Sequence, residues 1–259
     1  MRDPAGPALA AWLDDLHAWD AARGGDGPAT IAYGDHPEQV ADLWLPDGVV
    51  APPVVVSLHG GYFAAAFGRD LHDPMARELA RRGFAVWNVE YRRTGTGGLR
   101  ETTGDVWAAV DALPEIGAGP VAVVGHSAGG FLAEWLASHP RVGLVVPLAG
   151  ALDLAAVVRA GWDSGAVAAW LGAGPDDDPA LYAAADLRRR PPAAAARVLI
   201  HGTADTRVGV EQSRAYAALT GAELVELAGE GHFGYLDPRE PAFETLVAVL
   251  DRWRGSGPG

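Results

Sequence analysis

The sequence predicts an α/β fold in which helices cover both faces of a mostly parallel central sheet. Two observations carry this prediction. Short runs of strand type alternate with runs of helix type from residue 30 onward, which is typical of parallel strands joined by helical crossovers. The short apolar run Val54–Leu58 also has the composition expected of a strand buried on both faces.

The individual elements follow from apolar runs, for strands, and from apolar stripes of helical spacing. The predicted strands are residues 54–58, 84–89, 121–124, 144–147, 198–200 and 223–227. One predicted helix begins near Asp73 and ends at Gly83, and another covers residues 106–113. A third runs from Ala128 through Trp135, and the last helix closes the chain with Phe243 and Leu250 on one face.

One interval breaks this alternation. Between Gly150 and Arg197 the sequence contains helical fragments and no convincing strand. We interpret residues 151–195 as a short helical cap inserted over the sheet edge. Since no internal repeat or domain boundary is recognisable, residues 1–259 are predicted to form a single domain.

Composition excludes several classes of function. The net charge of -13 disfavours nucleic acid and anionic membranes as partners. The absence of cysteine excludes disulfides, thiolate metal sites and a cysteine nucleophile. No HExxH motif or metal-ligand spacing of histidines is present, so neither a metal nor a cofactor is predicted.

The expected location is the cytoplasm, because no signal-peptide pattern and no apolar run of about 18 residues occurs. The richness in Ala, Gly, Arg and Asp suggests a bacterial source. The expected partner is a small-molecule substrate, and the protein is expected to be a monomer or a homodimer.

The stretch VVGHSAGG, residues 123–130, has the features that expose a nucleophilic serine. In a Gly-x-Ser-x-Gly turn between a strand and a helix, a strained backbone pushes the serine hydroxyl above the sheet. The flanking glycines let the strand and the helix approach each other without side-chain clashes. Ser127 lies in this context, directly after a predicted strand. We therefore predict that Ser127 is a nucleophile.

A nucleophilic serine needs a histidine base, and the histidine needs an orienting carboxylate. Asp205 follows the predicted strand that ends near His201, and His232 follows the strand that ends near Leu227. The order serine, acid, histidine is that of this architecture, and all three lie beyond the carboxyl ends of parallel strands, where such sheets carry their sites. Asp153 and the acidic run 176–178 are rival acids that do not directly follow a late core strand.

The HGGYF stretch, residues 59–63, follows the predicted strand 54–58 and is a candidate oxyanion hole. Glycine-rich turns there supply backbone amides to the negative charge of acyl transfer. The predicted donors are the amides of Gly61, Tyr62 and Ala128. The predicted lining of an apolar substrate pocket comprises Tyr62, Phe63, Phe233, Trp162 and Trp170.

Taken together, the motifs HGGYF, VEYRR, GHSAGG, HGTAD and GHF resemble the α/β-hydrolase superfamily, in the order found there, across residues 30–253. HGGY, with Tyr33, Gly34 and the DLWLP run before it, is similar to the kynurenine formamidase and small carboxylesterase group. The resemblance implies an α/β-hydrolase fold and cofactor-free hydrolysis of small acyl esters or N-formyl arylamines. It implies the same roles for Ser127, Asp205 and His232 and for the three oxyanion donors.

The predicted function is a serine hydrolase that cleaves a small carboxylic ester or an N-formyl or aryl amide through an acyl-enzyme. Three alternatives stay open. The same scaffold supports acyltransferases and lyases. The last catalytic motifs also resemble those of prolyl oligopeptidases, and some members of the fold bind ligands without catalysis. Arg92 and Arg93 are candidates for a substrate carboxylate, although a role in anchoring their loop is favoured.

Overall fold

The computed structural model describes residues 6–117, 119–191 and 193–255. Within these ranges, eight strands form one sheet in the order β1-β2-β4-β3-β5-β6-β7-β8. Strands β3 to β8 are parallel, whereas β1 and β2 run antiparallel at one end. The strands are β1 Ala29–Ala32, β2 Val40–Trp44, β3 Val54–Leu58, β4 Ala85–Val89, β5 Val121–His126, β6 Val142–Leu148, β7 Ala196–Gly202 and β8 Glu223–Leu227.

Helices connect the parallel strands and pack on both faces of the sheet. They are α1 Pro7–Ala22, α2 Asp73–Arg81, α3 Leu99–Asp111, α4 Ala128–Trp135, α5 Leu154–Ala160, α6 Ala166–Leu171, α7 Pro179–Ala184, α8 Glu211–Thr220 and α9 Pro241–Gly255. Among the helices described, none combines the length and the apolar character needed to cross a membrane.

The core consists of two apolar layers, one on each face of the sheet. Val56 of β3 faces the layer to which α3 and α4 contribute. The neighbouring residue Val55 faces the opposite layer, to which α2 and α9 contribute. Because successive side chains of a strand point to opposite faces, a strand between two helix layers must be apolar along its length. The predicted α/β fold with helices on both faces is confirmed.

Three elements differ from the sequence prediction. The antiparallel pair β1 and β2 was not predicted. Strand β1 is an exposed edge strand without a buried face, and β2 is buried but carries Asp42 at its centre, which interrupts the apolar run. Helix α3 begins at Leu99 rather than at residue 106. There the backbone N–H of Gly98 donates to the Glu101 carboxylate at 3.1 Å, which caps the helix. This cap starts the helix before its apolar stripe begins at Val106.

The segment between β6 and β7 is helical and carries α5, α6 and α7. Trp170 of α6 stacks on Phe63 with ring centroids 3.8 Å apart. Its indole Nε1 donates to Thr102 Oγ1 of α3 at 2.9 Å. These contacts dock the segment on the layer that contains α3 and α4. Its interpretation as a cap insertion within a single domain stays a prediction.

Candidate active site

Ser127 occupies the sharp turn between β5 and α4. Its φ and ψ are 56° and -117°, a conformation that costs energy for a residue other than glycine and that recurs at functional sites. A Cβ on Gly125 would lie 2.0 Å from the carbonyl oxygen of Gly129. A Cβ on Gly129 would lie 2.0 Å from the carbonyl oxygen of Leu58. The glycines around Ser127 are therefore steric requirements of a close strand-to-helix turn.

Asp205 lies in the loop after β7 and is held from two sides. Its Oδ1 accepts the backbone N–H groups of Arg207 and Val208, both at 2.8 Å. Its Oδ2 lies 2.7 Å from Nδ1 of His232. Burial alone would raise the pKa of Asp205, but hydrogen bonds from His201 and His232 outweigh burial and hold that pKa well below its ordinary value. An ionised Asp205 thus orients the His232 ring.

His201 is a second imidazole on the same carboxylate. Its Nε2 lies 3.2 Å from Oδ2 of Asp205 and 2.9 Å from the carbonyl oxygen of Val208. Since both partners accept, Nε2 carries the hydrogen, and Nδ1 accepts from the hydroxyl of Ser213 at 2.7 Å. Sequence reasoning tested His201 only as a metal ligand. Its place near the end of β7, four residues before Asp205, was the available signal.

His126 holds the loop of His232 through a backbone contact. Its Nε2 donates to the backbone carbonyl of His232 at 2.7 Å. Burial and the nearby His232 lower the pKa of His126 to about 3, so its ring is neutral at physiological pH. His126 therefore positions the His232 loop without adding positive charge. It too was tested in the sequence only as a metal ligand, although it stands directly before Ser127.

The loop after β3 has an unusual backbone. Three consecutive residues have left-handed conformations, with φ of 106° at Gly61, 53° at Tyr62 and 59° at Phe63. A Cβ on Gly61 would lie 2.5 Å from Cβ of Phe67, so glycine is needed at this position. The hydroxyl of Tyr62 donates to the carbonyl oxygen of Arg207 at 3.0 Å, which links this loop to the Asp205 loop.

A buried cluster of charged side chains around Glu90 anchors the loop after β3. Glu90 Oε1 accepts from His59 Nε2 at 2.9 Å and pairs with Arg93, and Glu90 Oε2 accepts the backbone N–H of Arg69 at 3.1 Å. Tyr91 donates its hydroxyl to the carbonyl oxygen of His59 at 2.5 Å. Burial alone would raise the pKa of Glu90, but His59 and Arg93 lower it to about 2.

The arginines of VEYRR are anchored within the protein. Arg92 pairs with Asp105 at 2.6 Å, and Arg93 pairs with Glu90 and Glu38. These ion pairs correspond to the favoured interpretation of both side chains as loop anchors.

Ser127 and His232 line one pocket, which has an empty volume of about 510 Å³ including its mouth. The residues around it come from α1, from the loops after β3, β5, β7 and β8, and from two short helical turns. They are Leu9, Leu13, Gly61, Tyr62, Phe67, Leu71, His126, Ser127, Arg207, His232, Phe233 and Leu236.

Of the five residues predicted to contact substrate, two line this pocket and three lie elsewhere. Tyr62 and Phe233 lie on the wall of this pocket. Phe63 is 1 % exposed and packs with Trp170 in the core, because the left-handed turn directs it away from Tyr62. Trp162 borders a different surface pocket beside α8. A substrate role for these last three side chains stays a prediction that their positions do not favour.

The family model BD-FAE matches residues 41–219, more than half of the chain. The chain belongs to the BD-FAE family. The matched part of this BD-FAE protein includes Ser127 and Asp205 and ends before His232. Among curated proteins, none matches the sequence significantly. The more specific resemblance to kynurenine formamidases stays a prediction.

Solved structures share the fold of this BD-FAE protein at low sequence identity. A proposed thioesterase from Silicibacter sp. has a TM-score of 0.77 at 23 % identity, covering 93 % of this chain and 92 % of that chain. Esterase B from Lactobacillus rhamnosis has a TM-score of 0.74 at 22 % identity, covering 95 % and 93 %. A thermophilic esterase from Thermogutta terrifontis has a TM-score of 0.68 at 19 % identity, covering 88 % and 91 %. These similarities establish the α/β-hydrolase fold.

The rival acids have other partners in this BD-FAE protein. Asp153 caps α5, where its Oδ1 accepts the N–H of Ala156 at 2.9 Å. Asp178 caps α7 in the same way, and Asp176 pairs with Arg159 at 2.8 Å. Over the part of the chain that is described, no cluster of three His, Asp or Glu side chains is arranged to hold a metal ion.

The Glu90 cluster predicts a pH-dependent contribution to stability. The pKa of Glu90 is about 2, against an ordinary value of 4.5. A carboxyl group whose pKa is lowered by folding stabilises the folded state at pH values above its ordinary pKa. This stabilisation is lost as the pH falls through the folded-state pKa. We expect Glu90→Gln to lower the free energy of unfolding by about 3 kcal/mol at pH 7. The loss should shrink below pH 4.5, as urea unfolding at several pH values will measure.

The control for this experiment is Glu226→Gln. Glu226 pairs with Arg214 on the protein surface at 2.6 Å, where ion pairs contribute little. This variant should unfold like the wild type at every pH. A Glu90→Gln deficit that is the same at pH 7 and at pH 3.5 would contradict an electrostatic origin of the lost stability.

Proposed function

We propose that this protein is a serine hydrolase that cleaves small carboxylic esters through an acyl-enzyme intermediate. One observation carries the proposal. The 2.7 Å contact between Asp205 Oδ2 and His232 Nδ1 presents the His232 ring in the pocket where Ser127 stands on its strained turn. Asp205 bound to Nδ1 leaves Nε2 of His232 as the proton acceptor, which is the tautomer that a serine nucleophile requires.

The reaction then proceeds in two halves. Nε2 of His232 takes the proton of Ser127 Oγ as that oxygen attacks the ester carbonyl carbon. The amides of Gly61, Tyr62 and Ala128 stabilise the negative oxygen that forms. When the carbon–oxygen bond to the alcohol breaks, His232 returns the proton to the leaving oxygen. Water then attacks the acyl group with His232 again as base, releasing the acid and restoring Ser127.

The oxyanion assignment has support from the backbone. Gly61 and Tyr62 lie on the pocket wall beside Ser127, and Ala128 is the first residue of α4, where helix N–H groups lack helical partners. The Glu90 cluster and the Tyr62 hydroxyl hold the first two residues in place. Two of the structural neighbours are named as esterases and one as a proposed thioesterase, which agrees with hydrolysis of an acyl–oxygen or acyl–sulfur bond.

The test compares p-nitrophenyl acetate and butyrate with an N-formylated arylamine. We expect ester hydrolysis with one carboxylic acid and one phenol released per turnover, and an acyl adduct on the Ser127 peptide when the reaction is quenched early. Transfer of the acyl group to an added alcohol in preference to water would favour an acyltransferase. Faster cleavage of the N-formyl amide would favour the formamidase prediction, and no turnover of any ester would overturn the proposal.

A further inference from the structure

The N-terminal helix forms part of the wall of the pocket that Ser127 and His232 line. We propose that Leu9 and Leu13 of α1 form an apolar subsite that sets how long an aliphatic group the enzyme accepts beside Ser127. This inference rests on the proposed function and names the substrate class of the same site: esters that bring an uncharged aliphatic group to α1.

The spacing of α1 places these leucines on the side that meets the protein. Leu9, Leu13, Leu16 and Asp20 follow one another at three- and four-residue intervals, which puts them on one helix face. Leu16 is fully buried, and Asp20 is 5 % exposed. Leu9 and Leu13 stay partly exposed on that face because they border the pocket rather than the solid core.

Polar contacts anchor the second half of the helix. Asp20 Oδ2 accepts from Arg77 Nε of α2 at 2.8 Å, and His17 Nε2 donates to the carbonyl oxygen of Asp70 at 3.1 Å. In the first half, Trp12 packs on Phe233 with ring centroids 5.6 Å apart. Phe233 directly follows His232 in the chain. The contacts therefore hold Leu9 and Leu13 at a set distance from the catalytic histidine.

The chemistry of this wall selects the ligand. Phe67, Leu71 and Leu236 continue the apolar surface that Leu9 and Leu13 begin. The transfer of methylene groups from water to such a surface is favourable. The hydroxyls of a sugar would instead lose their hydrogen bonds to water without partners on the leucines. An apolar group such as an aliphatic chain is therefore favoured on this side of the pocket.

The experiment measures kcat/KM for p-nitrophenyl acetate, butyrate, hexanoate and octanoate with the wild type and with Leu9→Ala/Leu13→Ala. Shortening both leucines deepens the subsite, and single methylenes in apolar pockets change specificity by about tenfold or more. We therefore expect the octanoate-to-acetate ratio to rise at least about tenfold. The control Leu219→Ala makes a single leucine-to-alanine change at a 58 % exposed residue of α8, outside this pocket, and should leave the ratio unchanged.

A second variant and a second ester series keep the test decisive. Leu13→Phe fills the subsite and should lower the octanoate-to-acetate ratio, so it tests the inference if the alanine variant unfolds. Acetate esters of alcohols of increasing length test whether the aliphatic group is the alcohol rather than the acyl part. The inference is overturned if folded variants keep the wild-type ratio in both series. Failure of the proposed function looks different, because the wild type would then hydrolyse no ester at all.

Discussion

Ser127→Ala is expected to lower kcat for ester hydrolysis by about 10⁵- to 10⁶-fold, as loss of the nucleophile does in known serine hydrolases. Without Oγ no acyl-enzyme forms, and only the oxyanion donors and substrate binding are left. The backbone at residue 127 already has a φ of 56° with a side chain present, and alanine carries the same Cβ. The variant should therefore fold. Rates with p-nitrophenyl butyrate and a thermal unfolding curve measure both expectations.

Labelling with a fluorophosphonate supplies the control for this variant. In native wild-type protein, mass spectrometry should find one adduct, on the peptide that contains Ser127. Heat-denatured wild type and native Ser127→Ala should carry none, because reactivity depends on the assembled base. Wild-type rates in the alanine variant, or an adduct on another serine, would show that Ser127 is not the nucleophile.

Asp205→Asn is expected to lower kcat by about 10⁴-fold, a loss of the size seen when a triad carboxylate becomes an amide elsewhere. The hydrogen bonds of this site explain why asparagine cannot substitute. Two backbone N–H groups point at Oδ1, so the amide oxygen of asparagine must take that position. Its NH₂ group then replaces Oδ2 and faces His201 Nε2 and His232 Nδ1.

A donor at the Oδ2 position reverses the tautomer of His232. Nδ1 must then accept, so the hydrogen moves to Nε2, which can no longer take the proton of Ser127. Rates should fall without a large change in the affinity for substrate, which steady-state kinetics will separate. The inactive variant should keep the melting curve of a folded protein.

Asp153→Asn is the matched control, because it makes the same chemical change at a rival acid. Asp153 caps α5, and asparagine is also a good cap, so activity and stability should both stay close to the wild type. A greater loss of activity in Asp153→Asn than in Asp205→Asn would mean that Asp153, and not Asp205, orients the histidine.

Local patterns in the chain were sufficient to predict the catalytic candidates. The Gly-x-Ser-x-Gly turn and the two residues that follow late strands each carry their signal within a few neighbouring positions. The structure brings Asp205 and His232 into contact and places Ser127 in the same pocket as His232. The predicted start of α3 was wrong because a capping interaction at Gly98 precedes the apolar stripe on which the prediction relied.

Contacts between distant parts of the chain were beyond such patterns. His126 holds the backbone of His232 across 106 positions, and His201 shares with His232 the carboxylate of Asp205. Both histidines stand beside a catalytic motif in the sequence, but only the folded chain shows which groups their rings bind. The aromatic residues that were predicted to line the pocket illustrate the same limit, since Trp170 and Phe63 are apolar in sequence and stack on each other in the core.

By itself the sequence determined the fold class, the order of the parallel strands β3 to β8 along the chain, and the three catalytic candidates. These follow from periodicity and from steric needs of single turns, which act over a few residues. Only the tertiary structure decided what surrounds Ser127. Leu9 and Leu13 precede it by more than 100 positions, and they reach the pocket because α1 packs on α2. Packing between two helices so far apart in the chain depends on the complete fold, so no local sequence pattern predicts it.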